Sequence, residues 1–207
     1  MADDPTFVYR VVFGVLLLGA LGARDWIKHP ENPARLKEYV FLFSVTALTM
    51  LYGLAHDAIT FFISPTYFRL FKGIPATSFF PDVARLALMA SWTAGLAIGL
   101  VLLIANNPSA KYPQLSYRRL SALLLWPLAG ALVFAVVGGS FGPLFLELPW
   151  DAGPRPTRVW GIHLGTYVGA TLGVGLAAAH IRRVRSANGS SQGLRRGGRR
   201  PHGFGDW

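Results

Sequence analysis

The chain contains no cysteine. That excludes disulfides, thiolate metal sites and thiol catalysis, and leaves packing alone to hold the fold. Charge is scarce as well. Only 14% of the residues are Asp, Glu, Lys or Arg, where a soluble domain carries about 25%. Enzyme signatures are missing: the sequence has no G-x-x-x-x-G-K-[ST], no H-E-x-x-H and no G-x-S-x-G. No internal repeat is visible, which removes the inverted-repeat plan of many secondary transporters.

What is present is apolar: 52% of the 207 residues are hydrophobic. Five segments, 7–23, 39–63, 84–105, 120–141 and 159–181, approach or exceed the roughly 17–25 residues that cross a bilayer as a helix. Helices are expected because a spanning segment must satisfy its own backbone polar groups. The first segment carries Arg10 near its start. Asp3 and Asp4 stand where a signal peptide has positive charge, and Ala23-Arg24-Asp25 is no small-residue cleavage site. It reads as an uncleaved span. The expected fold is an all-α integral membrane bundle of five transmembrane helices over residues 1–185.

Orientation follows from the basic residues. Arg24, Lys28, Arg35 and Lys37 lie between spans one and two, and Lys111, Arg118 and Arg119 between three and four. Arg182, Arg183, Arg185, Arg195, Arg196, Arg199 and Arg200 follow span five. With five spans these regions share one side and hold 14 of the 20 basic residues. The positive-inside rule then puts the N-terminus out and the C-terminus in the cytoplasm. Residues 186–207, rich in Gly, Ser and Arg, read as a disordered basic tail. Its Arg-Arg-Gly-Gly-Arg-Arg stretch is superficially like an RNA-binding segment. Attraction to anionic lipid explains it more simply, at about 1 kcal/mol per basic residue, so no specific nucleic acid is expected. Phe204 and Trp207 end the tail as anchors or partner contacts.

The two outer loops are greasy. Residues 65–81 include Tyr67, Phe68, Leu70, Phe71, Ile74, Phe79 and Phe80, and residues 141–150 include Leu144, Phe145, Leu146, Leu148 and Trp150. Such loops lie in the interface, fold back on the bundle or meet a partner subunit. Small residues form two stripes at four-residue spacing. Gly161, Gly165, Gly169, Gly173 and Ala177 line the fifth span, and Ala87, Ser91, Gly95 and Gly99 the third. Small faces let membrane helices approach closely. The expectation is that these two helices cross closely, even with each other, a dimer face being the competing reading. Pro127 removes a backbone donor and should kink the fourth span.

The titratable groups inside the spans stand out, because such groups in hydrocarbon are costly and usually functional. Adjacent His56 and Asp57 sit about 10 Å below the outer end of span two, and His163 roughly 6 Å below the outer end of span five. They share a depth. Thr60 and Tyr52 lie one turn either side of His56, and Tyr167 one turn beyond His163. His163 is about 200° around the helix from Gly161, so it points away from the glycine face. Three readings stay open: hydrogen bonds that tie helix ends together, a metal or haem site using His56 and His163, and a proton relay or polar-substrate site. Asp82 and Arg85, one turn apart, join this cluster or pair locally. Glu147 and Asp151 read as solvated.

The stretch Tyr52-Gly53-Leu54-Ala55-His56-Asp57-Ala58-Ile59-Thr60, continuing through Ser64-Pro65-Thr66-Tyr67-Phe68 and Lys72-Gly73, resembles a motif of small uncharacterised bacterial multi-pass membrane proteins. That motif reads Tyr-Gly, then His or Asn, Asp, x, Ile or Val, Thr, and shortly Glu-Tyr-Phe. The match covers Tyr52, Gly53, His56, Asp57, Ile59, Thr60, Tyr67 and Phe68; Thr66 stands where the motif has Glu. The resemblance implies a bacterial cytoplasmic membrane protein and carries no activity with it. The favoured functional expectation is a non-enzymatic accessory subunit in contact with lipid and partner membrane subunits. The alternative is a metal- or haem-binding protein using the His/Asp cluster.

Overall fold

A computed structural model describes residues 6–75, 79–107, 109, 112–145 and 153–197. Among the described residues all regular structure is helical: α1 (Phe7–Lys28), α2 (Ala34–Ile63), α3 (Pro65–Lys72), α4 (Phe79–Ala105), α5 (Tyr117–Ala122), α6 (Leu125–Phe145) and α7 (Pro154–Gly197). Among the described residues, five stretches are long and apolar enough to cross a membrane: α1, α2, α4, the α5–α6 run and α7. The chain is an all-α, multi-pass membrane bundle.

Most helix ends run past the apolar windows, because backbone capping rather than hydropathy ends a helix. Asp25 shows how. Its Oδ2 accepts from the backbone N–H of Arg35 at 2.8 Å and of Leu36 at 3.3 Å. The carboxylate of one helix end thus caps the positive start of α2, where the N-cap Pro33 offers no side chain of its own. Residues 186–197, part of the stretch read from sequence as a disordered tail, are drawn as the end of α7, which runs to Gly197. Residues 198–207, with Phe204 and Trp207, lie outside the described residues, as do Glu147, Trp150 and Asp151.

The fourth span is broken rather than merely bent. Pro127 has no N–H for the Leu123 carbonyl, which instead accepts from Trp126 at 3.1 Å. A tight turn at Leu123–Leu124 therefore separates α5 from α6.

The glycine stripes are tight seams, with different partners from those expected. α7 packs along α6, and α4 along α2. A Cβ on Gly161, Gly165 or Gly169 would collide with the carbonyls of Gly138, Phe134 and Gly130, and one on Gly173 would lie 2.5 Å from Pro127 Cα. On α4, a Cβ on Gly95 would lie 2.6 Å from Thr46 Cα and one on Gly99 2.7 Å from Leu42 Cδ1. Ser91 faces Gly53 of α2, where no side chain fits. So the third- and fifth-span stripes do not meet each other. Each closes on the spanning helix next to it in sequence, where short connections favour antiparallel pairing. The bundle is two zipped pairs, α2–α4 and α6–α7, with α7 also touching α4, α3 and α2. α1 lies against α2, with only Gly22 buried.

One end of the bundle is locked by a buried cation. Arg185 is 7% exposed, and its guanidinium donates to the carbonyls of Pro113 (3.0 Å), Ala105 (2.6 Å), Tyr112 (2.9 Å) and Asn107. Asn106 exchanges two hydrogen bonds with the backbone of Leu115, at 3.0 and 2.8 Å. Leu102, Leu120 and Ile181 close the core around them. At the other end the greasy 65–81 loop folds back as α3. Ser64 caps it by accepting from Tyr67 N–H at 3.3 Å, Pro65 opens it, and Gly73 ends it in the left-handed region at φ 65°. Tyr67, Phe68 and Ile74 are thereby buried against Val83 and Val159.

Candidate functional site

The two zipped pairs meet along a looser seam where α2 and α3 face α7. There the structure brings His56, Asp57, Thr60 and His163 together. The His56 and His163 rings are 4.8 Å apart, edge to face. His163 Nε2 is 3.9 Å from Asp57 Oδ1 and 3.5 Å from Thr60 Oγ1. Thr60 spends its own proton on the His56 carbonyl at 2.9 Å, with the Asp57 carbonyl at 3.2 Å. One ligand atom from each of His56, Asp57 and His163 falls within 4.8 Å of the others. Asp82 is not part of this group.

α3 forms the lid. Tyr67 stacks on His163 with centroids 5.1 Å apart and planes 16° apart, and Phe68 meets the same ring edge-on at 6.2 Å. Burial, with Tyr167 and Asp57 adding, pushes the Tyr67 hydroxyl above its ordinary value, so it stays a neutral phenol. Lys72 sits 5.8 Å over the Tyr67 ring. Tyr167 is 6.3 Å from His163 but largely exposed, at the edge of the cluster rather than within it. Tyr67 and Lys72 had no site role from spacing, because they lie in a loop; their place in the Tyr-Gly…Tyr-Phe…Lys-Gly motif was the one signal.

Hydrogen bonding in this cluster is incomplete. Among the described residues, three buried side-chain atoms lack a partner, Tyr52 Oη, His56 Nε2 and Thr166 Oγ1. Tyr52 and Thr166 are neighbours. All three residues line one cavity of about 150 Å³ between α2, α4, α6 and α7. Asp57 and His163 line it too, while its body is apolar, with Val45, Ala87, Ile98, Leu128 and Ala131 among its walls. A second, wider groove of about 620 Å³ runs on the other side of His56, past Thr60, Ser140 and Arg158.

This donor set suits a small ion better than a haem. A porphyrin ligated by both histidines would have to lie between their rings, and rings in contact leave no slot. Two imidazoles and a carboxylate suit first-row transition ions, and small side-chain rotations bring such ligand atoms to bonding distance. No protein-family model matches the chain, and neither the curated proteins nor the solved structures compared with it give a match.

Proposed function

We propose that this chain is a metal-binding membrane protein whose centre is His56, Asp57 and His163. The observation that carries this reading is the unsatisfied His56 Nε2, buried beside two further ligand atoms. Buried polar groups in native proteins are hydrogen-bonded with few exceptions. A purely structural tie between helices would therefore satisfy its members. Instead the Asp57–His163 approach is 3.9 Å, longer than a hydrogen bond, and an imidazole nitrogen is left without a partner. A divalent ion of the zinc or iron class uses all three groups at once and offsets the charge of Asp57 in a buried setting. The glycine seams fix the backbones that carry the ligands.

The accessory-subunit reading keeps one supporting observation, the outward apolar faces of α1, where Val8, Phe13 and Leu16 are exposed. Lipid covers those faces as well as a partner does, so the polar cluster takes precedence. On the positive-inside rule the cluster sits toward the extracytoplasmic side, with the N-terminus outside and the Arg185 end in the cytoplasm of a bacterial cell.

Purification in mild detergent followed by metal analysis tests the reading. We expect close to one transition ion per folded chain, retained through dialysis, and lost in His56→Ala, Asp57→Asn and His163→Ala. A folded wild-type protein that holds no ion, and takes up none from micromolar Zn²⁺, Fe²⁺ or Mn²⁺, would overturn it.

A further inference from the structure

The cavity beside the cluster has the shape and chemistry of a second binding site. We propose that it takes a membrane-dissolved phenol or hydroquinone ring, with the ring hydroxyl held by Tyr52 and Thr166 beside the His56–Asp57–His163 set. The inference deepens the metal reading and rests on it.

Size comes first. An apolar cavity of about 150 Å³ accommodates a benzene-sized guest, and this cavity is about 150 Å³. Alanines from three helices, Ala87, Ala90, Ala94, Ala131 and Ala170, leave that volume by being small. Access comes second. Leu48, Ala90, Ala94 and Tyr167 line the cavity and are exposed, so it opens sideways within the spanning segments of α2, α4 and α7. A guest therefore arrives from the hydrocarbon layer, and a substituent para to its hydroxyl can trail back through the mouth.

Polarity comes third. If the ion takes the His56 lone pair, two of the three unsatisfied atoms remain, Tyr52 Oη and Thr166 Oγ1. Both are hydroxyls, each donor and acceptor. A single neutral hydroxyl on the guest can accept from one and donate to the other. The Tyr52 ring, 5.6 Å from His56, places that contact beside the ligand set. The proposal is one of binding; no bond is made or broken.

Full-length protein in lipid nanodiscs can be titrated with 4-ethylphenol, with 1-hexanol as the chain-shaped control. We expect saturable binding of one 4-ethylphenol per chain and at least about tenfold weaker binding of hexanol, a difference of about 1.4 kcal/mol. The double variant Ala90→Phe/Ala94→Phe should lose phenol binding and keep its metal, since neither residue is a ligand. Tyr52→Phe should weaken phenol binding with metal content unchanged, which also guards against the double variant failing to fold. Wild-type protein that holds its ion yet binds no phenol, or binds hexanol equally well, overturns the proposal and leaves the metal reading standing. Metal-free protein whose phenol binding is still blocked at the mouth overturns the metal reading and keeps the cavity assignment. Protein with neither overturns both.

Discussion

Two faces of α7 follow opposite rules. The Gly161–Gly173 face closes on α6 so tightly that a single methyl group would strike backbone. Away from that face, His163, about 200° around from Gly161, and Thr166, about 140° around, border a cavity of about 150 Å³ where two hydroxyls and an imidazole nitrogen have no partner. Membrane helices gain little from hydrophobic burial against one another, so close packing has to supply the cohesion. The glycine seam supplies it. That cohesion is what permits a polar, under-packed seam next door, because rigid backbones hold the ligand atoms in place without needing contacts across the gap.

The largest effect is expected at the glycine seam. Gly165→Leu would push a side chain through the Phe134 carbonyl and should cost about 3 kcal/mol or more, read as a large drop in the thermal midpoint in detergent. A variant as stable as wild type would show that α6 and α7 are not zipped. Next is Arg185, the buried polar group whose needs are met. Arg185→Met takes the guanidinium donor from the carbonyls of Ala105, Asn107 and Pro113, and leaves Tyr112 with Ser109 alone. Each charged hydrogen bond is worth about 1.5–3 kcal/mol, so we expect clear destabilisation and faster proteolysis of the 106–116 connection.

The polar seam should respond in the opposite sense. In ion-free protein, Tyr52→Phe and Thr166→Val remove groups that have no partner, and stability should hold or rise by up to about 1 kcal/mol. A loss of 2 kcal/mol or more on that scale would mean these hydroxyls are tied after all. The smallest expected effect is at the lid. Lys72→Met removes a cation that opposes a divalent ion, so ion affinity should increase while the thermal midpoint of ion-free protein barely moves. An affinity that falls would make Lys72 part of the site.

Much of this was legible from spacing and hydropathy. The five spans were, because nothing soluble explains runs of that length in a chain so poor in charge. The proximity of His56 and His163 was, because depth below an apolar boundary is a distance measured along a helix, and both count from the same side. Which helices the glycine stripes join was not. Spacing shows that a face is small, whereas the partner is set by connection length and by matching glycines such as Gly130 and Gly138 on α6. Arg185 looked like one more topology charge, since its partners are carbonyls, which leave no trace in side-chain composition. Tyr67 escaped for a similar reason: a loop has no period, and only the Ser64–Pro65 start and the Gly73 stop hinted at the short helix that lays it on His163. The Leu123–Leu124 break was half visible in Pro127, four residues downstream of the carbonyl whose helical donor it removes.

The central claim is that the open seam of α7 is built to be closed by an ion, and ion-dependent stability tests it most directly. The thermal midpoint of detergent-solubilised wild type should rise on adding Zn²⁺, by the equivalent of about 2.7 kcal/mol at a hundredfold excess over the dissociation constant, and that rise should vanish in Asp57→Asn and His163→Ala. A wild-type midpoint that ignores the ion, or an equal rise in those variants, would contradict the account.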